Sequence, residues 1–320
     1  MQITALTDIV EGELLNTPAI SFVTQIHTNL SRVNEGDAYF ALNEEDASKA
    51  IKRGAFAIIV DYNADIIDKE IAWIKSENIT KSISNVLRYK LLNQRVQYIH
   101  TNKIFFKLLN IFKSKELSYV VTLSNSLSQN FELLNYNDKD KIIFGTDINF
   151  LNAIGTNILS LKSENYDIKN LTSHSLFETS FSYKDKFFDK IKLPTVYIND
   201  LLQQLELFEY KLDLKKLNSF DLFRPVFINK SSQIVSYGQT NRFILANKDI
   251  EICGIEIDYL KKHYKYGQIK TLDINSSSKD DIFEQIKNLK FNCLYIIGYD
   301  IKDIIKILEE NYKEDKLVGF

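Results

Sequence analysis

The sequence has few of the residues that hold metal ions or cross-link a chain. Its two cysteines, Cys253 and Cys293, each lie in an apolar run that predicts a strand, and neither belongs to a Cys-x-x-Cys pair. Such isolated cysteines are typical of small buried side chains rather than of zinc ligands or disulfides. The four histidines are far apart and show no His-Glu-x-x-His spacing. The sequence therefore predicts no metal site.

The chain also lacks an excess of one charge and long apolar runs. Its formal net charge is −2, so it has no whole-chain basic field of the kind that attracts nucleic acid or anionic membranes. No apolar run approaches the ~20 residues of a membrane-spanning helix, and the N-terminus has neither the basic nor the apolar part of a secretory signal. We expect a cytoplasmic protein without membrane insertion and without a nucleic-acid partner.

Glycine is scarce where it would matter most, because none occurs between Gly54 and Gly145. Inside that interval, the stretch from Val96 to Lys107 has the pattern of a strand running into a helix, with Lys103 at the turn. This is the layout of a phosphate-binding loop, which uses glycines to expose backbone N–H groups and a Ser or Thr after the lysine to hold Mg²⁺. Here Ile104 follows Lys103.

Thr101, Asn102 and Lys103 are therefore candidates for a vestigial nucleotide site. A lysine at a helix N-terminus can bind an anion, since free N–H groups and the helix dipole favour one there. The alternative is a solvated lysine on an exposed turn, with Thr101 or Asn102 as the helix N-cap. The lack of glycine favours the alternative.

The first 95 residues alternate between short strands and helices. Ala55 to Val60 is an unbroken apolar run, which is typical of a strand buried on both faces. A short helix from Asp46 should end at Arg53-Gly54, because glycine commonly follows the last helical turn. Apolar residues then recur at helical spacing from Ile79 to Leu91. These features predict a compact α/β domain.

The remaining sequence divides into two further segments. In residues 96–215, alternation from Phe177 to Tyr183 and from Phe187 to Leu193 predicts a β-hairpin around Lys184-Asp185. In residues 216–320, strands at Ile269–Ile274 and Phe291–Ile297 each precede a helical pattern, the first through a capping box at Ser278–Asp281. Alternating strands and helices favour a parallel sheet flanked by helices.

One N-terminal stretch resembles a known family. It reads Thr28-Asn29-Leu30-Ser31-Arg32-Val33-Asn34-Glu35-Gly36-Asp37-Ala38-Tyr39-Phe40-Ala41-Leu42, and Ala50-Ile51-Lys52-Arg53-Gly54-Ala55 follows before an apolar strand. Over residues 20–95 the chain resembles the Mur ligases, bacterial ATP-dependent enzymes that add amino acids or dipeptides to the UDP-linked peptidoglycan precursor. The members that add the third residue or the terminal D-Ala-D-Ala are the most similar.

The resemblance implies an α/β fold in three domains. These are a small N-terminal α/β domain at 1–95, a reduced central α/β domain at 96–215 that matches the family's ATPase domain, and a Rossmann-like C-terminal domain at 216–320. It also implies that Thr28, Asn29 and Ser31 lie at the UDP end of a substrate site. Asn199 occupies the place of an asparagine at the start of a helix after the hairpin.

The chain departs from the family at the residues that carry its chemistry. Leu30 and Ser31 stand where the family has Ser and Arg, and the ATP loop has lost its glycines and its Thr. The family's Mg²⁺-binding acidic motif and carbamylated lysine have no counterpart, and no Lys, Arg or His occurs between Glu116 and Asp138. We therefore predict no catalytic residues and no bound cofactor.

The resemblance to the family and the missing catalytic residues together suggest three possible functions. The leading hypothesis is a catalytically inactive Mur-ligase-like protein that binds a cell-wall synthesis enzyme, a cell-shape protein or a wall precursor. The first alternative is a diverged amide-forming ligase that still uses ATP and Mg²⁺ through Lys103 and side-chain hydroxyls. The second alternative is a protein that binds a small ligand.

Overall fold

The structure is a computed structural model that describes residues 1–135, 140–162, 164–274 and 279–317, without the side chains of 279, 280 and 312–317. It comprises two compact units. The first unit contains Met1–Asn102 and Lys113–Lys162, and the second contains Lys103–Phe112 and the described residues from 164 onward. Several parallel sheets flanked by helices confirm the predicted α/β class. The domain boundaries at 95 and 215 stay a prediction.

The first unit begins with a five-stranded sheet. Its elements are α1 (Ile3–Ile9), β1 (Glu13–Leu14), β2 (Ile26–His27), β3 (Ala38–Phe40), α2 (Glu44–Lys52), β4 (Ala57–Val60), β5 (Ala72–Lys75) and α3 (Ile79–Leu91). The strand order is β1-β5-β4-β3-β2, and β1 alone runs antiparallel to its neighbour. All four residues of β4 are buried, as the unbroken apolar run predicts.

A second sheet completes the first unit. The chain continues through β6 (Val96–His100), α4 (Lys103–Phe112, which belongs to the second unit), β7 (Val120–Thr122), α5 (Leu127–Asn135), β8 (Lys141–Gly145), α6 (Ile148–Ile154) and β9 (Leu159–Ser160). The order is β7-β8-β6-β9 and all pairs are parallel. One apolar core joins the two sheets, from Leu6 on α1 to Leu151 on α6.

Gly54 ends α2 as the sequence predicts. Its N–H donates to the carbonyl of Ile51 at 2.8 Å, and the N–H of Ala55 donates to the carbonyl of Ala50 at 3.1 Å. These two bonds form a Schellman motif, which needs a left-handed residue after the C-cap. Gly54 supplies it with φ +89°. The motif turns the chain directly into the buried strand β4.

The second unit contains two sheets. Its elements after α4 are β10 (Lys169–Ser173), β11 (Thr179–Tyr183), β12 (Lys186–Ile191), α7 (Ile198–Leu207), β13 (Val226–Phe227), β14 (Phe243–Asn247), α8 (Ile250–His263), β15 (Ile269–Asp273), α9 (Lys279–Asn288), β16 (Cys293–Ile297) and α10 (Ile301–Leu317). Strands β10, β11 and β12 form an antiparallel sheet. The other has the order β13-β14-β16-β15, with β14, β16 and β15 parallel.

The predicted hairpin and the predicted C-terminal strands are confirmed. Phe181 of β11 pairs with Phe188 of β12, and Lys184 turns the chain with φ +52°. The capping box predicted before α9 begins at Ser278, which lies outside the described residues. The strand predicted around Cys253 is wrong, because Cys253 lies on helix α8, where it is buried on the same face as Ile252 and Glu256; strand β14 was not predicted. Among the helices that the structure describes, none is long and apolar enough to cross a membrane.

Candidate functional site

The turn that resembles a phosphate-binding loop is short. Strand β6 ends at His100 and α4 begins at Lys103, so only Thr101 and Asn102 separate them. A phosphate-binding loop places about six residues before its lysine, and their N–H groups surround the phosphate. Thr101 is 2% exposed, and its N–H donates to the carbonyl of Gly145 at 3.0 Å. The connection is too short to form such a cradle.

Lys103 lies between two carboxylates of the second unit. Its Nζ is 3.0 Å from Oδ2 of Asp249 and 3.1 Å from Oε2 of Glu251. Asp249 is the N-cap of α8 and accepts the N–H groups of Glu251 and Ile252. Hydrogen bonds to both carboxylates raise the pKa of Lys103. Burial alone would raise the pKa of Asp249, but the hydrogen bond from Lys103 holds it below its usual value.

The first turn of α4 is anchored by apolar burial. Ile104 is 6% exposed and Phe105 is fully buried. The Nε2 of Gln204 on α7 donates to the carbonyl of Phe105 at 2.7 Å. Ile104 thus stands where a phosphate-binding loop needs a Mg²⁺-binding hydroxyl. The residues of this turn do not fit a triphosphate and its metal ion.

The predicted substrate residues Thr28 and Asn29 are held by Glu132 of α5. Its Oε1 accepts the N–H of Thr28 at 2.8 Å, the N–H of Asn29 at 3.1 Å and the Thr28 hydroxyl at 3.1 Å. The side chain of Asn29 accepts the N–H of Ser31 and caps the short 3-10 helix Leu30–Arg32. The N–H and hydroxyl of Thr28, and the N–H and Oδ1 of Asn29, are therefore engaged within the first unit.

His27 connects the same glutamate to a second buried carboxylate. Its Nε2 is 3.2 Å from Asp37, and its Nδ1 is 3.6 Å from Glu132. Burial would raise the pKa of Glu132, but hydrogen bonds from His27, Thr28 and Asn29 lower it. The pKa of Asp37 is likewise lowered against burial, first by the Thr24 hydroxyl and then by backbone N–H groups. The arrangement links α5 to strands β2 and β3.

Ser31 lies at an open polar depression of about 510 Å³ in the first unit. His27, Arg32 and Asp37 also line it, whereas Thr28 and Asn29 do not. The Arg32 guanidinium is 3.4 Å from Glu132. Of the three residues that the resemblance implies at the UDP end, Ser31 alone lines this depression, although Asn29 is exposed as well. Asn199, the fourth predicted substrate residue, is in the first turn of α7 in the second unit. The substrate role of all four residues stays a prediction.

The second unit also buries a carboxyl group that the sequence reasoning did not identify. Glu256 of α8 is 1% exposed and accepts hydrogen bonds from the hydroxyls of Tyr197 and Tyr295. Burial raises the pKa of Glu256 to about 7, although both tyrosine hydroxyls oppose the rise. A carboxyl group with a pKa near neutrality is suited to proton transfer. Its burial keeps solvent away from it, so the cluster is structural.

The histidine at the end of β6 and the two cysteines have local roles. Nε2 of His100 lies 3.3 Å from the carbonyl oxygen of Thr146. Cys253 and Cys293 are both buried free thiols. Within the described parts of the chain, no three His, Cys, Asp or Glu side chains are placed to hold a metal ion. Glu132, Asp249 and Glu251 were missed because each contacts residues more than 100 positions away along the chain.

Comparison with known proteins identifies the fold. No protein-family model and no curated protein sequence matches the chain. Among solved structures it is similar to the MurF ligase of Thermotoga maritima in complex with ADP, with a TM-score of 0.54, 14% identity, and coverage of 91% of this chain and 97% of that one. It is also similar to MurF of Acinetobacter baumannii, with a TM-score of 0.51, 11% identity, and coverage of 93% and 86%.

The chain therefore has a Mur ligase-like fold, as the N-terminal motif predicts. The match extends over almost the whole length of both chains, so it includes the C-terminal sheet as well as the N-terminal one. Identities of 11% and 14% establish the fold alone. What the chain does with this fold has to be argued from its own residues.

Proposed function

We propose that this protein acts by binding rather than by ATP-driven amide formation, in peptidoglycan synthesis or the control of cell shape. The observation that carries the proposal is the environment of Lys103. The lysine that would meet the terminal phosphates is instead paired with Asp249 and Glu251. The fold supports descent from, or kinship with, the Mur ligases.

The charges around Lys103 repel a phosphate group. One cation beside two carboxylates leaves a net charge of −1 at this end of α4. A phosphate oxygen about 4 Å from either carboxylate would be repelled by roughly 4 kcal/mol at an effective dielectric constant of 20. A phosphate-binding loop offsets such costs with several N–H donors, and the two-residue connection before Lys103 is too short to supply them. Both features disfavour a bound triphosphate.

An ATP hydrolysis assay tests the catalytic half of the proposal. We expect the wild type, Lys103→Ala and the surface control Lys265→Ala to release phosphate at the same background rate in the presence of Mg²⁺. Hydrolysis above background that Lys103→Ala abolishes and Lys265→Ala preserves would contradict the proposal. It would favour the diverged amide-forming ligase instead.

The binding half of the proposal concerns a protein of cell-wall synthesis, a cell-shape protein or the UDP-linked precursor itself. The polar depression around Ser31 and Arg32 supports the precursor as one candidate, because it lies where the resemblance places the UDP end. Titration with the purified precursor distinguishes the candidates. Saturable binding that Arg32→Ala weakens supports the precursor. If the precursor does not bind, we expect the partner to be a protein. Co-purification from a cell lysate should then recover that protein.

A further inference from the structure

The second unit contains a cavity of about 700 Å³ that the proposed function does not use. Five aromatic side chains line it together with aliphatic and polar residues: Phe177, Phe220, Phe223, Phe227 and Tyr237. Small-molecule sites commonly have volumes of about 300–1,000 Å³ and walls of this kind. Lys103 and its two carboxylate partners, Asp249 and Glu251, do not line the cavity.

The aromatic rings are arranged so that they can receive another ring. The centroids of Phe227 and Tyr237 are 5.1 Å apart with an interplanar angle of 80°, and Phe177 meets Phe227 at 87°. Phe177 and Phe227 also pack against Phe243, with centroids 5.5 and 5.7 Å away, so Tyr237 at the edge of this cluster is the ring left open to a further aromatic group. Tyr237 is 68% exposed and Ile234, also at the cavity, is 41% exposed. A ligand would remove both side chains from water.

One wall of the cavity is held in a strained conformation. Phe223 has φ +53°, although a bulky side chain rarely adopts the left-handed region. Its ring packs on Tyr259 at 5.3 Å, and its backbone N–H is hydrogen-bonded to the buried Glu256. Strain of this type is retained where surrounding contacts enforce it, often at binding sites. These contacts hold Phe223 at the wall of the cavity.

The charges around the cavity cancel. The charged lining residues are two cations and two carboxylates: Lys192, Arg224, Glu178 and Glu309. His174 and Tyr237 also line the cavity, and Nε2 of His174 lies 2.7 Å from the hydroxyl of Ser180. A site without net charge does not attract an anion or a cation over distance. The ligand that fits is therefore apolar and uncharged.

We propose that this cavity binds an uncharged aromatic small molecule, which packs against Tyr237 at the exposed edge of the aromatic cluster. The cavity does not include the Lys103 turn. A test of ligand binding in the cavity is therefore independent of whether the protein binds ATP. The cavity also gives the second alternative of the sequence analysis, a small-ligand protein, a specific location.

Titration with the neutral fluorescent probe N-phenyl-1-naphthylamine tests the site on the full chain. We expect saturable fluorescence enhancement with one probe bound per chain. Val235→Trp places a large ring in the cavity and should abolish this binding. Tyr237→Ala, at an exposed position where folding is little affected, should weaken the binding about fivefold by removing one ring contact. Tyr266→Ala is the control, since Tyr266 is fully exposed and does not line the cavity.

The charge of the ligand is tested with the anionic probe 8-anilino-1-naphthalenesulfonate. We expect it to bind no more tightly than the neutral probe, and Arg224→Gln to leave the affinity for the neutral probe unchanged. Saturable binding of the anionic probe alone, lost in Arg224→Gln, would overturn the assignment to an uncharged ligand. Absence of saturable binding by the neutral probe, or binding that Val235→Trp leaves intact, would overturn the site.

A second copy of the chain is the other occupant that the test can detect. Sedimentation of the wild type and of Val235→Trp, with and without the neutral probe, distinguishes it. We expect the same sedimentation coefficient in all four samples. A wild-type dimer that either Val235→Trp or the probe dissociates would show that this face joins two copies and would overturn the small-molecule assignment.

Discussion

The ammonium group of Lys103 lies 3.0 Å from the carboxylate of Asp249, a residue 146 positions further along the chain. The pair joins the first residue of α4 to the N-cap of α8 within the second unit. Asp249 accepts the N–H groups of its own helix and the lysine at the same time. The lysine that gives the turn its likeness to a nucleotide site is thus part of a structural contact.

Charge repulsion and backbone shape can be separated by a double variant, Asp249→Asn with Glu251→Gln. Asn is also a good N-cap, so α8 should remain intact. The variant frees Lys103 from both carboxylates but leaves the two-residue connection unchanged. We expect it still to show no binding of Mg²⁺-ATP in calorimetry. Binding in the variant but not in the wild type would show that the carboxylates alone block the site.

Glu132 should be important for the stability of the first unit. Its carboxylate is 7% exposed and accepts two backbone N–H groups while contacting His27. Glu132→Ala leaves these groups without an acceptor, and we expect a loss of about 3–5 kcal/mol in the free energy of unfolding. The matched control is Glu116→Ala, at an exposed site in the same unit. Urea denaturation should show a change within about 0.5 kcal/mol for the control.

Equal effects of these two variants would mean that Glu132 is not a structural anchor. In that case Thr28 and Asn29 would be free to serve a substrate. The comparison thus tests the local role of the two residues as well as the stability of the unit.

Glu256 should make stability depend on pH in a direction opposite to that of most carboxylates. Burial raises its pKa to about 7 from the ordinary 4.5, so the folded state binds the proton more tightly than the unfolded chain. Its contribution to stability is therefore lost as pH rises from 4.5 to 7 and is constant above that. A shift of this size corresponds to about 3 kcal/mol.

Glu256→Gln removes the titrating group and keeps an acceptor for Tyr197 and Tyr295. Between pH 4.5 and 8 we expect the unfolding free energy of the wild type to fall by about 3 kcal/mol relative to this variant. The control Glu77→Gln, at an exposed site, should follow the wild type. Parallel pH profiles for the wild type and Glu256→Gln would show that Glu256 titrates normally.

Two glycines should respond in opposite directions to alanine. Gly54 has φ +89°, and an added Cβ would lie 3.0 Å from Cα of Glu35. We expect Gly54→Ala to destabilise the chain by about 1–2 kcal/mol. Gly254 lies inside α8 with nothing within 4 Å of an added Cβ. Gly254→Ala should stabilise it by about 0.5–1 kcal/mol, because alanine is the better helix former. Urea midpoints that move in the same direction would contradict this reading of the two backbones.

The sequence predicted the elements whose signal is local. The apolar run of β4, the hairpin of β11 and β12, and the end of α2 at Gly54 follow from patterns within a few residues. Helix α8 was harder to predict, because Ile250 and Ile255 are exposed while Glu256 is buried. Its outward and inward faces do not follow the usual division between polar and apolar residues.

The candidate site could be predicted only in outline. The missing glycines and the isoleucine after Lys103 are visible in the sequence, and the prediction that no triphosphate binds there rests on them. The two carboxylates that pair with Lys103 cannot be recognised in the sequence, because the fold brings Asp249 and Glu251 to it from far along the chain. Glu132 was missed for the same reason, although the shortage of basic residues around it was apparent.

The most direct test of the central claim is calorimetric titration of the full-length wild type with Mg²⁺-ATP. The account predicts only the heat of dilution up to millimolar ATP, and an identical trace for Lys103→Ala. Saturable binding with a dissociation constant below about 1 mM, corresponding to more than about 4 kcal/mol of binding free energy, would contradict it if Lys103→Ala removed that binding.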